Sequence, residues 1–330
     1  MIDFRYHLVS IIAVFLALAV GLVVGSTALS GKAEEALTAA QHKAISDNSA
    51  LRKEKDQLQQ EVAGDQAFAA ASSDRLLAGL LTGERVVLVT APGADGAELT
   101  GLTTALRQAG ATVTGQVSLT STFISTTGQT EAALSQLAQQ LASRAALTVT
   151  PPADSPVSGQ QAAAQVLAAS LVSSSESLTS TASQDILAGF SQAGFVSVAS
   201  GAPADAPAEL AVLVTPSGSP QQNASQVLVA VAQALKAAGG ATVMAGAVSS
   251  IGPGSAINAE VSAGNLVSTV DNADTEIGQI TVVQALRYLL NGKSPAAYGA
   301  VPAAAPSPAP TPVATPTIRP SASSSPKSHT

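Results

Sequence analysis

A chain of 330 residues is long enough for one large globular domain or two small ones beside a membrane segment. Hydrophobic residues make up 46% of it and charged residues only 11%, against roughly a quarter charged in typical soluble domains. A net charge of −7, aromatics at 3% and no Trp argue against a nucleic-acid partner, and the absence of Cys removes disulfides, thiolate metal sites and cysteine nucleophiles.

Residues 1–31 read as a cytoplasmic tail and a transmembrane anchor. No charged side chain lies between Leu8 and Gly31, and about 20 helical residues cross a hydrocarbon core of about 30 Å. Arg5 before the span places the short tail in the cytoplasm and the bulk of the chain outside it. The alternative is a cleaved signal peptide with Ser26 and Ala28 at the cleavage site. The apolar run exceeds the roughly 7–15 residues of a signal core, and Asp3 opposes Arg5, so the anchor is the preferred reading. Gly21, Gly25 and Ala28 share one helix face, a surface through which membrane helices approach one another.

Residues 32–78 turn abruptly to Glu, Gln, Lys, Asp and Ala. Leu37, Ala44, Leu51 and Leu58 recur every seven residues, the period of a coiled-coil seam. Gln41, Asn48, Lys55 and Val62 occupy the companion position, and such polar residues set register and strand number at a cost in stability. The expectation is a homo-oligomeric coil; a lone solvated helix is the plain alternative.

Residues 79–298 read as an extracytoplasmic α/β domain. Arg85–Thr90 is a continuous apolar run suited to a strand buried on both faces, followed by a helix at Glu98–Ala109 and a strand at Ala111–Leu119. A second copy of this unit spans about 209–248. Val87-Leu88-Val89-Thr90 matches Val212-Leu213-Val214-Thr215, and Gly110-Ala111-Thr112-Val113 matches Gly240-Ala241-Thr242-Val243. Between the copies lie helices at Glu131–Ala145, Gln160–Ser174 and Gln184–Ala193 and a strand at Phe195–Ala199. The second copy holds a helix at Gln221–Ala238, and a last one runs over Thr275–Asn291. The alternation predicts a doubly wound, mostly parallel sheet with helices on both faces. Residues 299–330, rich in Pro, Ala and Ser, read as a disordered tail.

The three histidines, His7, His42 and His329, all fall outside the α/β domain. Histidine-based triads, general bases and zinc sites are therefore excluded there, and no enzymatic activity is expected. The turn Pro92-Gly93-Ala94-Asp95-Gly96 lacks the third glycine of a dinucleotide fingerprint and the Gly-Lys-Ser/Thr of a phosphate loop. Asp271, Asp274 and Glu276 form one acidic group. They suit either a weak cation site or, as the better reading, the capping of the helix that follows. No cofactor is expected.

The opening residues 1–21, Met1-Ile2-Asp3-Phe4-Arg5-Tyr6-His7-Leu8 through Gly21, continuing to Val24-Gly25-Ser26, resemble the N-terminus of the actinobacterial copper-transport outer-membrane protein family (MctB). Val267-Ser268-Thr269-Val270-Asp271-Asn272, Gly278-Gln279, Gly292 and Tyr298-Gly299 resemble that family's C-terminal signature. The resemblance implies copper transport or homeostasis in the cell envelope, with a channel-like activity and a place in the outer membrane. It carries over no copper site residue by residue. Copper(I) favours sulfur and copper(II) imidazole, whereas the domain's one Met, Met244, sits in an expected buried strand. With one span per chain, any pore needs several chains. A non-catalytic envelope scaffold with cell-wall or envelope protein partners is the reading that the residues alone favour.

Overall fold

The computed structural model describes residues 4–150, 155, 157–172, 178–199, 207–218, 222–299 and 309–310. All but three residues of the Pro-rich tail 299–330 (Gly299, Ala309 and Pro310), and His329 with them, lie outside the described residues. The chain divides into two compact units, Met1–Asp65 and Gln66–Thr330.

The first unit is the larger part of one helix, α1 (Phe4–Leu77). No break in the helix marks the change in composition near residue 31. Without interior Pro, the backbone ladder continues whatever the side chains prefer as solvent. Within α1, Tyr6–Gly25 is long and apolar enough to span a membrane, and its side chains are unburied.

The second unit opens with the last turns of α1, where Ala69, Ser73 and Leu77 are buried. Then follow β1 (Arg85–Thr90), α2 (Gly96–Gln108), β2 (Thr112–Leu119), α3 (Ser121–Ile124), α4 (Gly128–Arg144) and α5 (Ser158–Leu171). Next come α6 (Ser180–Gln192), β3 (Val196–Val198), β4 (Leu210–Val214), α7 (Gln222–Ala237) and β5 (Ala241–Ala245). The chain closes with α8 (Ala256–Ser262), β6 (Ser268–Val270), α9 (Glu276–Leu290) and β7 (Ala297–Tyr298).

The sheet order is β3-β2-β1-β4-β5-β6-β7. Every neighbouring pair is parallel except β2 with β3. This is the expected doubly wound architecture, with an antiparallel edge. The two repeated units, β1–α2–β2 and β4–α7–β5, lie side by side at its centre, where β1 pairs with β4.

Alternate strand residues serve opposite faces. Val86, Leu88, Val212 and Val243 pack with Leu102 and Leu106 of α2, Val283 and Leu286 of α9, and Leu77 of α1. Val87, Val89, Leu213 and Met244 pack with α4 to α7 through Leu134, Leu167, Phe190 and Leu228. Met244 is thus core, as its place in the strand implies. Four elements were not anticipated: α3, α8, β6 and β7. At two to seven residues each, they are too short to display a hydrophobic period.

Candidate functional site

The acidic trio near α9 is divided by the fold. Thr275 is the N-cap: its Oγ1 accepts from the Gly278 N–H at 3.1 Å and donates to the Asn272 carbonyl at 2.7 Å. Glu276 is exposed in the first turn, where a negative charge suits the helix dipole, and Asp274 is exposed just before it. Asp271 points elsewhere. It is buried after β6, its N–H donates to the Tyr298 carbonyl at 3.2 Å, and its carboxylate packs against Gly299. A Cβ at Gly299 would lie 1.7 Å from Asp271 Oδ1. Among the described residues no three His, Cys, Asp or Glu side chains converge on a position that could hold a metal ion. Of the residues that carry the C-terminal family resemblance, Asp271 with Gly299 and Asn272 with Gly278 are packed at close range. Gly278 lies so close to the Asn272 carbonyl that a Cβ would approach its oxygen to 1.8 Å, and Gln279 donates to the Ala273 carbonyl at 3.3 Å.

The carboxyl ends of β1 and β4 mark the point where the strand order reverses, the usual ligand crevice of such sheets. Here the segments that leave the two strands are hydrogen-bonded to one another. Ala91 N–H donates to the Val214 carbonyl at 2.9 Å and Ser217 N–H to the Gly93 carbonyl at 3.0 Å. Gly93, at φ +84, lets the turn pass Pro216. The turn into α2 is capped by Asp95, whose Oδ1 accepts from the Ala97 N–H at 2.8 Å.

The first turn of α2 holds a residue that its sequence pattern alone did not single out. Glu98 is 2% exposed, and neither carboxylate oxygen has a hydrogen-bond partner. Burial, reinforced by the negative charges of Asp274 and then Asp95, pushes its pKa up to about 7. An acid in the first turn of a helix reads as a dipole partner. The overlooked signal is its spacing from Leu102 and Leu106, at four and eight residues on the apolar face of α2.

On α1 the expected oligomerisation residues face outward. Leu37, Leu51 and Leu58 are exposed large apolar side chains, with Leu51 at 64%, and Asn48 is exposed between them. A Cβ on Gly21 or Gly25 would meet nothing within 4 Å, so both glycines leave the helix surface open.

Among the described residues, one N-terminal helix long and apolar enough to cross a membrane precedes a doubly wound, mostly parallel α/β body, and these two features define the class of protein. Within that class the profile of the family described as "Copper transport outer membrane protein, MctB" matches residues 1–308, and the chain belongs to this family. Relatives named "Copper transporter MctB" in Mycobacterium bovis and Mycobacterium tuberculosis are each 30% identical over 317 residues, covering 91% of this chain and 96% of theirs. The relative of that name in Mycobacterium leprae is 30% identical over 323 residues.

Proposed function

We propose that this chain serves copper transport or copper homeostasis in the cell envelope, as a component of an efflux channel. The observation that carries the reading is the near full-length family match, from residue 1 to residue 308. Arg5 before the span supports a cytoplasmic N-terminus and an extracytoplasmic body. Copper is cargo here, not a resident cofactor. A chain without Cys and without His in its α/β body has few of the ligands that hold copper tightly, which suits passage more than storage. One span encloses no lumen, so a path for the ion requires several chains side by side. Deleting the gene should raise cellular copper and sensitivity to it, and unchanged content and tolerance would overturn the reading.

The outward line of Leu37, Leu51 and Leu58 favours a second reading, a non-catalytic envelope scaffold that self-associates through α1. Because the chain has no native Cys, Leu51→Cys or Leu58→Cys gives a clean crosslinking handle. The scaffold reading expects disulfide-linked homo-oligomers in the membrane together with recovered cell-wall partners. Monomers without stable partners would sink it.

A further inference from the structure

We propose that Glu98 is a proton-operated latch between α2 and the β6–α9 turn: neutral and closed when protonated, and forced open when ionised. The placement carries the argument. Glu98 sits on the buried face of α2, in line with Leu102 and Leu106, with both carboxyl oxygens lacking partners. Buried polar groups are nearly always satisfied, and a buried ion without a counter-charge is more costly still. The charges that act on Glu98 are both negative, Asp274 from the turn before α9 and Asp95 from its own N-cap. Asp95 is already committed to the Ala97 N–H. Across the seam α9 presents an uncharged side chain, Gln279, whose amide lies against Gly101 one turn further along α2 and donates to the Ala273 carbonyl. Glu276, in the first turn of α9, is a further acid at this end of the seam, and it is exposed.

A protonated Glu98 fits this setting, because a neutral acid is tolerated where a carboxylate is not. Loss of the proton places a buried negative charge, without a hydrogen-bond partner, within reach of two acids at the surface, Asp274 and Asp95. The relief is to separate the first turn of α2 from the turn bearing Asp274 and admit water. The direction of the proton affinity agrees: burial and the two acids raise the pKa from 4.5 to about 7. The closed state therefore holds the proton more tightly than an open, solvated one. Opening becomes more favourable as pH rises from 4.5 towards 7, by at most about tenfold per pH unit, and levels off above 7.

Hydrogen exchange on the full-length chain in detergent tests this, read as protection factors, which remove the intrinsic pH dependence of exchange. Amides in 96–102 and 271–279 should lose protection between about pH 5 and pH 7 and then plateau. Glu98→Gln and Glu98→Leu should both abolish that fall, while Asp274→Asn should shift its upper limit to lower pH. A flat wild-type profile overturns the latch without recourse to any variant. So does the same pH-dependent fall in Glu98→Gln.

Discussion

The two central βαβ units share their strands, their turns and their Gly-Ala-Thr-Val return, yet they treat buried polarity in opposite ways. In β4–α7–β5, Ser225 in the first turn of α7 is buried and satisfied, its Oγ donating to the Gly254 carbonyl at 2.5 Å. In β1–α2–β2, the first turn of α2 buries Glu98 with no partner. The strand ends reverse the contrast. Thr90 Oγ1 donates to Ser118 Oγ at 2.8 Å, whereas Thr215 Oγ1 is buried and unpartnered. The apolar strand pattern recurs in both copies, while the buried polar side chains differ. The first copy alone holds a buried acid without a hydrogen-bond partner, the group on which the proposed latch depends.

The largest expected effect lies at the turn that brings Asp274 towards Glu98. Gly278→Ala places a Cβ 1.8 Å from the Asn272 backbone oxygen, and backbone cannot swing aside as a side chain can. A loss of about 3 kcal/mol or more in denaturant unfolding is expected. Next comes the acid itself. With its folded pKa above its unfolded value, Glu98 costs stability as pH rises through this window. Glu98→Gln should therefore gain about 1–3 kcal/mol on wild type at about pH 8, with the gain fading by about pH 5. Melting temperatures at the two pH values check it, and a gain independent of pH would break the contrast between the copies.

Two smaller effects of opposite sign sharpen that contrast. Ser225→Ala removes a satisfied buried hydrogen bond and should cost about 1 kcal/mol. Thr215→Val removes a hydroxyl that has no partner and should be neutral or stabilising by about 0.5 kcal/mol. Paired unfolding curves measure both. Losses of equal size at the two sites would mean that the copies do not differ in this way.

The central sheet was legible because its strands are buried on both faces, which leaves an uninterrupted apolar run at Arg85–Thr90. The repeat at β4 was legible for the same reason. Strand β6, Ser268-Thr269-Val270, was not, since two of its three buried residues are hydroxyl-bearing and the run is too brief to carry a period. The acidic group was readable as caps, and Thr275 proved to be the residue that caps α9. Proximity in sequence misled over Asp271, because strand exit turned it towards β7 while Asp274 and Glu276 stayed at the surface. Glu98 escaped notice because an acid in the first turn of a helix reads as a dipole partner, although its spacing from Leu102 and Leu106 puts it on the apolar face of α2.

If copper passes between several copies of this chain and those copies join through α1, the exposed apolar line on α1 is needed for copper handling. Complementing a deletion strain with the full chain, and with a Leu37→Glu, Leu51→Glu, Leu58→Glu triple variant, tests it directly by cellular copper content. Wild type should return copper to its normal level, while the triple variant, present in the membrane at equal abundance, should leave it raised. Full restoration by that variant would contradict the account.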